Sequence, residues 1–291
     1  MLKPLAPFLF LLTASFTATA QKQVEVSPDR NDQAIFARLP ERLLQYQLPD
    51  LTRSTAQRYL RLWGSNSALD VWLEAGKPHA RLTQWIRPAN PVVQKTDLPP
   101  DVAQRLLDTL EAHRLEEIPD DDRWGVDGSH VTFEVATPNT YRLFSYWSPG
   151  AMTSSRRKEA QQVATLVTTI NQMVDLPGHT HRFLEALEPG GYPWGMGSIT
   201  VDRFLPKNAK RSSLYKTVEN QLKTDLRLTT ETSSRQFPLV LLNGKPAYLQ
   251  DLNRYELDQV KSLQIIGRQE AQAAGLYGTM GANGVVKVET K

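Results

Sequence analysis

The sequence predicts an α+β fold, an antiparallel sheet with two amphipathic helices, followed by a small α/β module. Three observations predict it. From Tyr59 to Arg87 apolar residues recur at every second position, as in Leu69, Val71 and Leu73. Two later segments place apolar residues at helical spacing instead. The C-terminal stretch alternates short apolar runs with Asn-Gly turns.

Residues 21–52 are polar and punctuated by proline, with one short apolar patch at Leu43-Leu44, and read as a loosely packed lead-in. The runs YLRLW, ALDVWLE and ARLTQWIR then form a meander, with turns at Gly64-Ser65-Asn66 and Gly76-Lys77-Pro78. Pro99 opens a helix whose apolar face is Val102, Leu106, Leu107 and Leu110, and Pro119 ends it. The strands HVTFEVAT and TYRLFSYWS form a hairpin through Pro138-Asn139. A second helix over 155–175 carries Ala160, Val163, Val167, Ile170 and Val174, and Pro177-Gly178 is expected to stop it. These elements define an α+β domain over 53–185.

Residues 186–233 read as a connecting segment. It opens with EPGGYPWGMGS and continues through a basic stretch with Lys207, Lys210, Arg211 and Lys216, expected to be a solvated linker. A module over 234–291 follows: the strand PLVLL, a turn at Asn243-Gly244, a short helix capped by Asn253, the strand SLQII, a short helix from Ala271 to Leu276, and a last strand after Asn283-Gly284.

The first 20 residues have the three parts of a secretory signal peptide: Lys3, an apolar run from Leu5 to Phe16, and Ala18-Thr19-Ala20 before Gln21. The run is shorter than the ~20 residues that span a bilayer. Cleavage after Ala20 is expected, and it removes Lys3, bringing a formal charge of +3 closer to neutrality. The chain has no cysteine, which excludes thiol catalysis, thiolate metal sites and disulfides, and fits a bacterial envelope compartment. No basic stripe interleaved with aromatics points to nucleic acid.

Signals for catalysis are sparse. The sequence contains no GxSxG, SxxK or HExxH. His179 and His181 lack a clear third metal ligand, and Asp120-Asp121-Asp122 lacks the alternating ligands of a calcium loop. Ser129 and His130 are adjacent on a strand, so their side chains point to opposite faces. No catalytic, metal or cofactor residue is assigned. An alternative reading, a periplasmic hydrolase or other enzyme, would need a concave site around Asp127, His130 or Glu134.

Gly275, Gly278, Gly281 and Gly284 stand three apart, but their context is wrong for a phosphate loop: the strand follows the glycines, and no GK[ST] is present. The series PLVLLNGKP, LNRYELDQVKSLQII and AAGLYGTMGANGVVKVETK resembles the plug domain of TonB-dependent outer-membrane receptors. The resemblance is carried by Pro238, Leu239, Gly244, Leu257, Val260, Leu263, Ala274, Tyr277, Gly278, Ala282, Asn283, Gly284, Val285, Thr290 and Lys291. Asn243 stands where the family more often has Asp, and Gly267 where it often has Lys. The likeness covers 237–291. It implies a plug-like module in which Pro238, Leu239, Asn243, Gly244, Tyr277, Gly278, Ala282, Asn283 and Gly284 are structural, in an envelope setting. No transmembrane barrel and no transport pore are expected within the sequence. A weaker likeness of residues 99–175 to a small bacterial domain without assigned chemistry implies a fold unit only. The function expected is binding or assembly with an envelope or outer-membrane protein, in the periplasm or associated with the outer membrane.

Overall fold

A computed structural model of the chain describes residues 22–87, 91–121, 128, 130–151, 157–195, 197–270, 275 and 277–291. The expected leader lies outside these residues, as do Asp122, Asp127, Ser129 and Ala271–Ala274.

The fold is α+β. Its larger sheet has seven strands: β1 (Gln23–Val26), β2 (Arg58–Trp63), β3 (Ser67–Glu74), β4 (Lys77–Ile86), β5 (Val92–Asp97), β6 (His130–Ala136) and β7 (Thr140–Trp147). Their spatial order is β1-β7-β6-β2-β3-β4-β5, antiparallel throughout except for the parallel pair β1–β7. The β3–β4 turn places Ala75 and Gly76 at φ 48° and 73°, the left-handed pair that a two-residue hairpin needs.

The pleat divides this sheet into two apolar faces. Leu60, Leu62, Leu69, Val71, Leu82, Phe133 and Phe144 face α2 (Pro100–Ala112) and α3 (Lys158–Met173), meeting Leu106, Leu110, Val163 and Ile170. On the other face Tyr59, Trp63, Trp85, Tyr141 and Leu143 meet α1 (Arg30–Tyr46).

That helix corrects the expectation of a loose lead-in. Asp29 caps it, accepting from the amides of Asn31 and Asp32, and Leu39, Leu43 and Tyr46 bury at i, i+4 and i+7 spacing. Tyr46 stacks on Trp85 with ring centroids 4.0 Å apart. Pro40 lies inside the helix, and Leu44 of the expected apolar patch is exposed.

A second correction concerns Pro177-Gly178. Asp175 breaks α3 in the left-handed region at φ 49°, and its carboxylate accepts from Gly178 N, starting α4 (Leu176–Glu185). The two residues occupy the first turn of the new helix, where a missing N–H costs little.

The connecting segment is also structured. A hairpin of β8 (Gly190–Trp194) and β9 (Gly197–Val201) packs Val201 and half-buried Trp194 against Phe183, Leu184 and Ile86. The basic stretch is not simply solvated: Arg211 donates to the carbonyls of Leu205, Pro206, Lys207 and Ala209 and pairs with Glu219 at 3.0 Å. It thereby folds the loop that leads into α5 (Ser213–Asp225).

Helix α5 covers the second sheet, formed by β10 (Leu239–Leu242), β11 (Lys245–Ala247), β12 (Val260–Ile266) and β13 (Val285–Thr290) in the order β11-β10-β13-β12. Strands β10 and β13 are parallel, and the other neighbours are antiparallel. Leu214, Val218 and Leu222 of the helix, with Phe204 and Leu228, pack on Val240, Val286 and Val288. Asn253 does not cap a following helix. It ends α6 (Leu249–Leu252), and its side chain accepts from Ser212 N and donates to Lys210 O.

Among the described residues no helix is long and apolar enough to cross a membrane, and no sheet closes into a barrel.

Asp202 joins the hairpin to the second sheet. Its buried carboxylate accepts from the amides of Leu249 at 2.9 Å and Arg203 at 2.8 Å. Burial raises its pKa from 3.8 to about 7, with the two amides opposing the rise. Between those values the folded chain keeps a proton that the unfolded chain has released. Stability from this group is therefore fully present near pH 4 and lost as pH rises through 7. Asp202→Asn should flatten the loss measured by urea unfolding at pH 4.5 and 7.5, by on the order of 3 kcal/mol.

Candidate functional site

The face of the large sheet beneath α1 carries the densest chemistry among the described residues. Registers place Glu134 of β6 opposite Arg61 of β2, Arg61 opposite Asp70 of β3, Asp70 opposite Arg81 of β4, and Arg81 opposite Asp97 of β5. Charge thus alternates along one row across five strands. Arg61, Asp70 and Glu134 are buried, whereas Asp97 at the edge is exposed.

Arg61 sits at the centre. Its Nε donates to Asp70 Oδ1 at 2.6 Å, one Nη to Glu134 Oε1 at 3.2 Å, and the other to the Pro49 carbonyl at 3.0 Å. Glu134 also accepts from Trp63 Nε1 at 2.6 Å and from the Tyr141 hydroxyl at 2.9 Å. Burial works against the Arg61 cation, but Asp70 and Glu134 outweigh it and hold the guanidinium protonated well above the ordinary range. With both carboxylates committed to this centre, Glu134 is a structural ion-pair partner, not a group positioned in an open site.

Two clefts flank the row. One, of 430 Å³, lies over Asp70, Trp72, Arg81 and Lys95 beside the loop at Pro49-Asp50. The other, of 500 Å³, lies between α1 and the opposite end of β2, lined by Arg38, Arg42, Tyr46, Trp63, Arg87 and His130 among others. Arg42 lies over the Trp63 ring, 4.1 Å from its centroid, and Arg87 lies 5.7 Å from that of Tyr46. Burial, then the charges of Arg87 and Arg61, depresses the Arg42 pKa against the opposing pull of Tyr46 and Glu134.

Of the residues named for an enzymatic alternative, Asp127 lies outside the described residues. His130 Nδ1 stands 3.2 Å from Asn31 Nδ2 and 3.5 Å from Ser145 Oγ. The Ser145 hydroxyl donates instead to buried Asp32, which also accepts from Ser145 N at 3.1 Å. A nucleophile–base chain needs the carboxylate behind the histidine; here it is on the serine. Asp120 and Asp121 pair with Arg142 and Arg157, and His181 lies 3.7 Å from Glu185. No group of metal-ligating side chains forms among the described residues.

The residues singled out by the sequence resemblance lie at the two ends of the β10–β13 pair. At one end Pro238 leads into Leu239, which pairs in register with Val285 and shares a small cluster with half-buried Tyr277. Asn283 donates to the Arg235 carbonyl at 2.8 Å beside half-buried Ala282. Gly278 has φ 53°, and Gly284 has φ 100° with the Ile266 carbonyl 2.8 Å from where a Cβ would stand. At the other end Asn243 and Gly244 turn the chain at φ 52° and 75°. The Asn243 side chain clasps Thr290, accepting from its amide at 2.9 Å and donating to its hydroxyl at 3.0 Å.

Sequence reading found these turns but missed the charged row and the cleft under α1. The row was legible in principle as a charged residue interrupting each apolar strand, at Arg61, Asp70 and Glu134.

Two substitutions test this description. Arg61→Met leaves two buried carboxylates without their cation and should destabilise by ~3–5 kcal/mol in urea unfolding. Gly284→Val meets both the left-handed backbone and the Ile266 carbonyl, and should cost roughly 1–3 kcal/mol by the same measurement.

Compared with known proteins, the chain matches no family model, no curated protein and no solved structure.

Proposed function

We propose that this is an exported protein of a bacterial envelope that binds an envelope or outer-membrane protein through its plug-like C-terminal module, without forming a transport pore. The N-terminal pattern of cation, apolar run and Ala-x-Ala supports export, and the lack of cysteine supports a bacterial envelope.

The observation that carries the binding reading is the uneven cover of the small sheet. One face is sealed by α5 and α6. On the other, Leu241 and Ile266 stay half-buried around Leu239, Val285 and Tyr277, and Met280 is exposed nearby. The outer edge of β12 has no strand partner among the described residues. A free edge beside an apolar face is a surface on which a partner strand can add, its main chain completing the ladder and its side chains meeting the face. In receptors, a plug module is surrounded by a barrel; here a partner's surface would play that part.

A photo-crosslinking side chain at Gln264, exposed on the open face of β12, tests the assignment, with one at Lys158 on α3 as the control. In intact cells the Gln264 probe should yield one discrete adduct in the envelope fraction, suppressed by Leu241→Asp, and the Lys158 probe should not yield it. Equal adducts at both positions, or an adduct indifferent to Leu241→Asp, would reject the module as the binding surface.

A further inference from the structure

The cleft between α1 and the sheet holds cations that the fold leaves unneutralised, and we propose that it binds a small polyanion whose oxyanion groups are held by Arg38, Arg42 and Arg87. Among the described residues, none of the three side chains forms an ion pair or a hydrogen bond, and Arg42 and Arg87 meet only aromatic rings. Arg61 and Arg81 on this face do, and so does Arg142 on the opposite face. Arg38 and Arg42 are one turn apart on α1, and Arg87 reaches the same space from the end of β4. Arg87 is near enough for its charge to act against that of Arg42. Like charges brought together in a partly enclosed site are stabilised when an anion lies between them.

Two unsatisfied polar groups point to a ligand independently of the charges. Tyr46 is fully buried, lines the cleft, and its hydroxyl has no hydrogen-bond partner. The Nε of Arg42 is likewise enclosed and unpartnered, although its guanidinium is fixed over Trp63. Buried polar atoms are paired almost everywhere in folded proteins, so a hydroxyl and an N–H left without partners on two residues lining the same cavity are groups that a bound acceptor, with a small side-chain adjustment, would satisfy. His130 also lines the cleft. Accepting from Asn31 at Nδ1, a neutral ring carries its proton on Nε2 and adds another donor.

The volume of 500 Å³ suits a small molecule. Arginines on two walls favour planar carboxylates or phosphates, which accept paired N–H donors. Among the described residues Glu41 is the one carboxylate in the lining and is exposed, so the cleft keeps a net positive charge.

Calorimetric titration of the leader-free chain at low ionic strength tests the proposal, with citrate and pyrophosphate as probes and glycerol as the neutral control. Saturable binding of citrate, pyrophosphate or both at one site is expected, weakening as salt is raised. Selectivity between the two identifies the preferred oxyanion. Arg87→Gln and Arg38→Gln, both at exposed positions, should each weaken binding about tenfold while leaving the melting temperature unchanged. Tyr46→Phe keeps the ring stack and should weaken binding by a smaller factor. Arg42→Gln is not relied upon, since it also removes packing from Trp63. Arg53→Gln, an exposed cation outside the cleft, should have no effect. The proposal is overturned if neither anion binds saturably, if the Arg38→Gln, Arg87→Gln double variant binds as well as the original, or if Arg53→Gln weakens binding as much as the cleft variants do.

Discussion

A guanidinium in the middle of a sheet constrains everything packed around it. Arg61 cannot be dry and unpaired, so the strands on either side must deliver Asp70 and Glu134 to the same row of the pleat. A slip of one residue in β3 or β6 would turn that carboxylate to the face occupied by α2 and α3, leaving an ion among leucines. Apolar contacts alone would tolerate several registers; the charge row tolerates one. Trp63 and Tyr141 complete the coordination of Glu134, and Pro49 offers its carbonyl to Arg61, so the loop after α1 is fastened to the same centre. The helix is thereby held where its arginines meet the cleft.

The two halves of the chain are joined by polar contacts of a similar kind. Glu185 at the end of α4 accepts from the Ser233 hydroxyl and from the amide and hydroxyl of Ser234. Asp202 receives Leu249 N at the start of α6, and its own amide donates to the Ser234 carbonyl. Asp202 ties the hairpin to the second sheet and Glu185 ties α4 to the segment that leads into β10, each at a point where a backbone N–H would otherwise lack a partner. The second sheet therefore depends on α5 for its apolar cover and on these contacts for its position.

Much of the fold was legible because its signals are local. Alternation marked β2 to β4, prolines marked the start of α2, and Asn243-Gly244 marked a turn with two positive φ values. What was hidden depends on tertiary contact. Helix α1 reads as polar and contains Pro40, yet Leu39, Leu43 and Tyr46 lie on one face and the sheet supplies its stability. Strand β5, VVQKTD, is an edge strand with exposed polar positions and little apolar signal. Arg211 looked like one cation in a basic run, and only the folded loop gathers four carbonyls around it. The cleft was invisible for a related reason: its arginines come from positions 38, 42 and 87, which no linear spacing connects.

The place of β13 has a consequence for the order in which the chain becomes structured. This strand enters between β10 and β12, so those two do not pair with each other and share only it as a ladder neighbour. Until residues 285–290 are available, β12 has no ladder partner at all and β10 has only the short β11. A chain emerging from its N-terminus can settle α5 and the β10–β11 hairpin early, but the small sheet must wait for its central member. During that interval PLVLL and SLQII are unpaired apolar strands, the kind of segment most prone to pair wrongly. Assembly of this module is thus gated by synthesis of its last strand, and the seven-stranded sheet upstream is free of that delay.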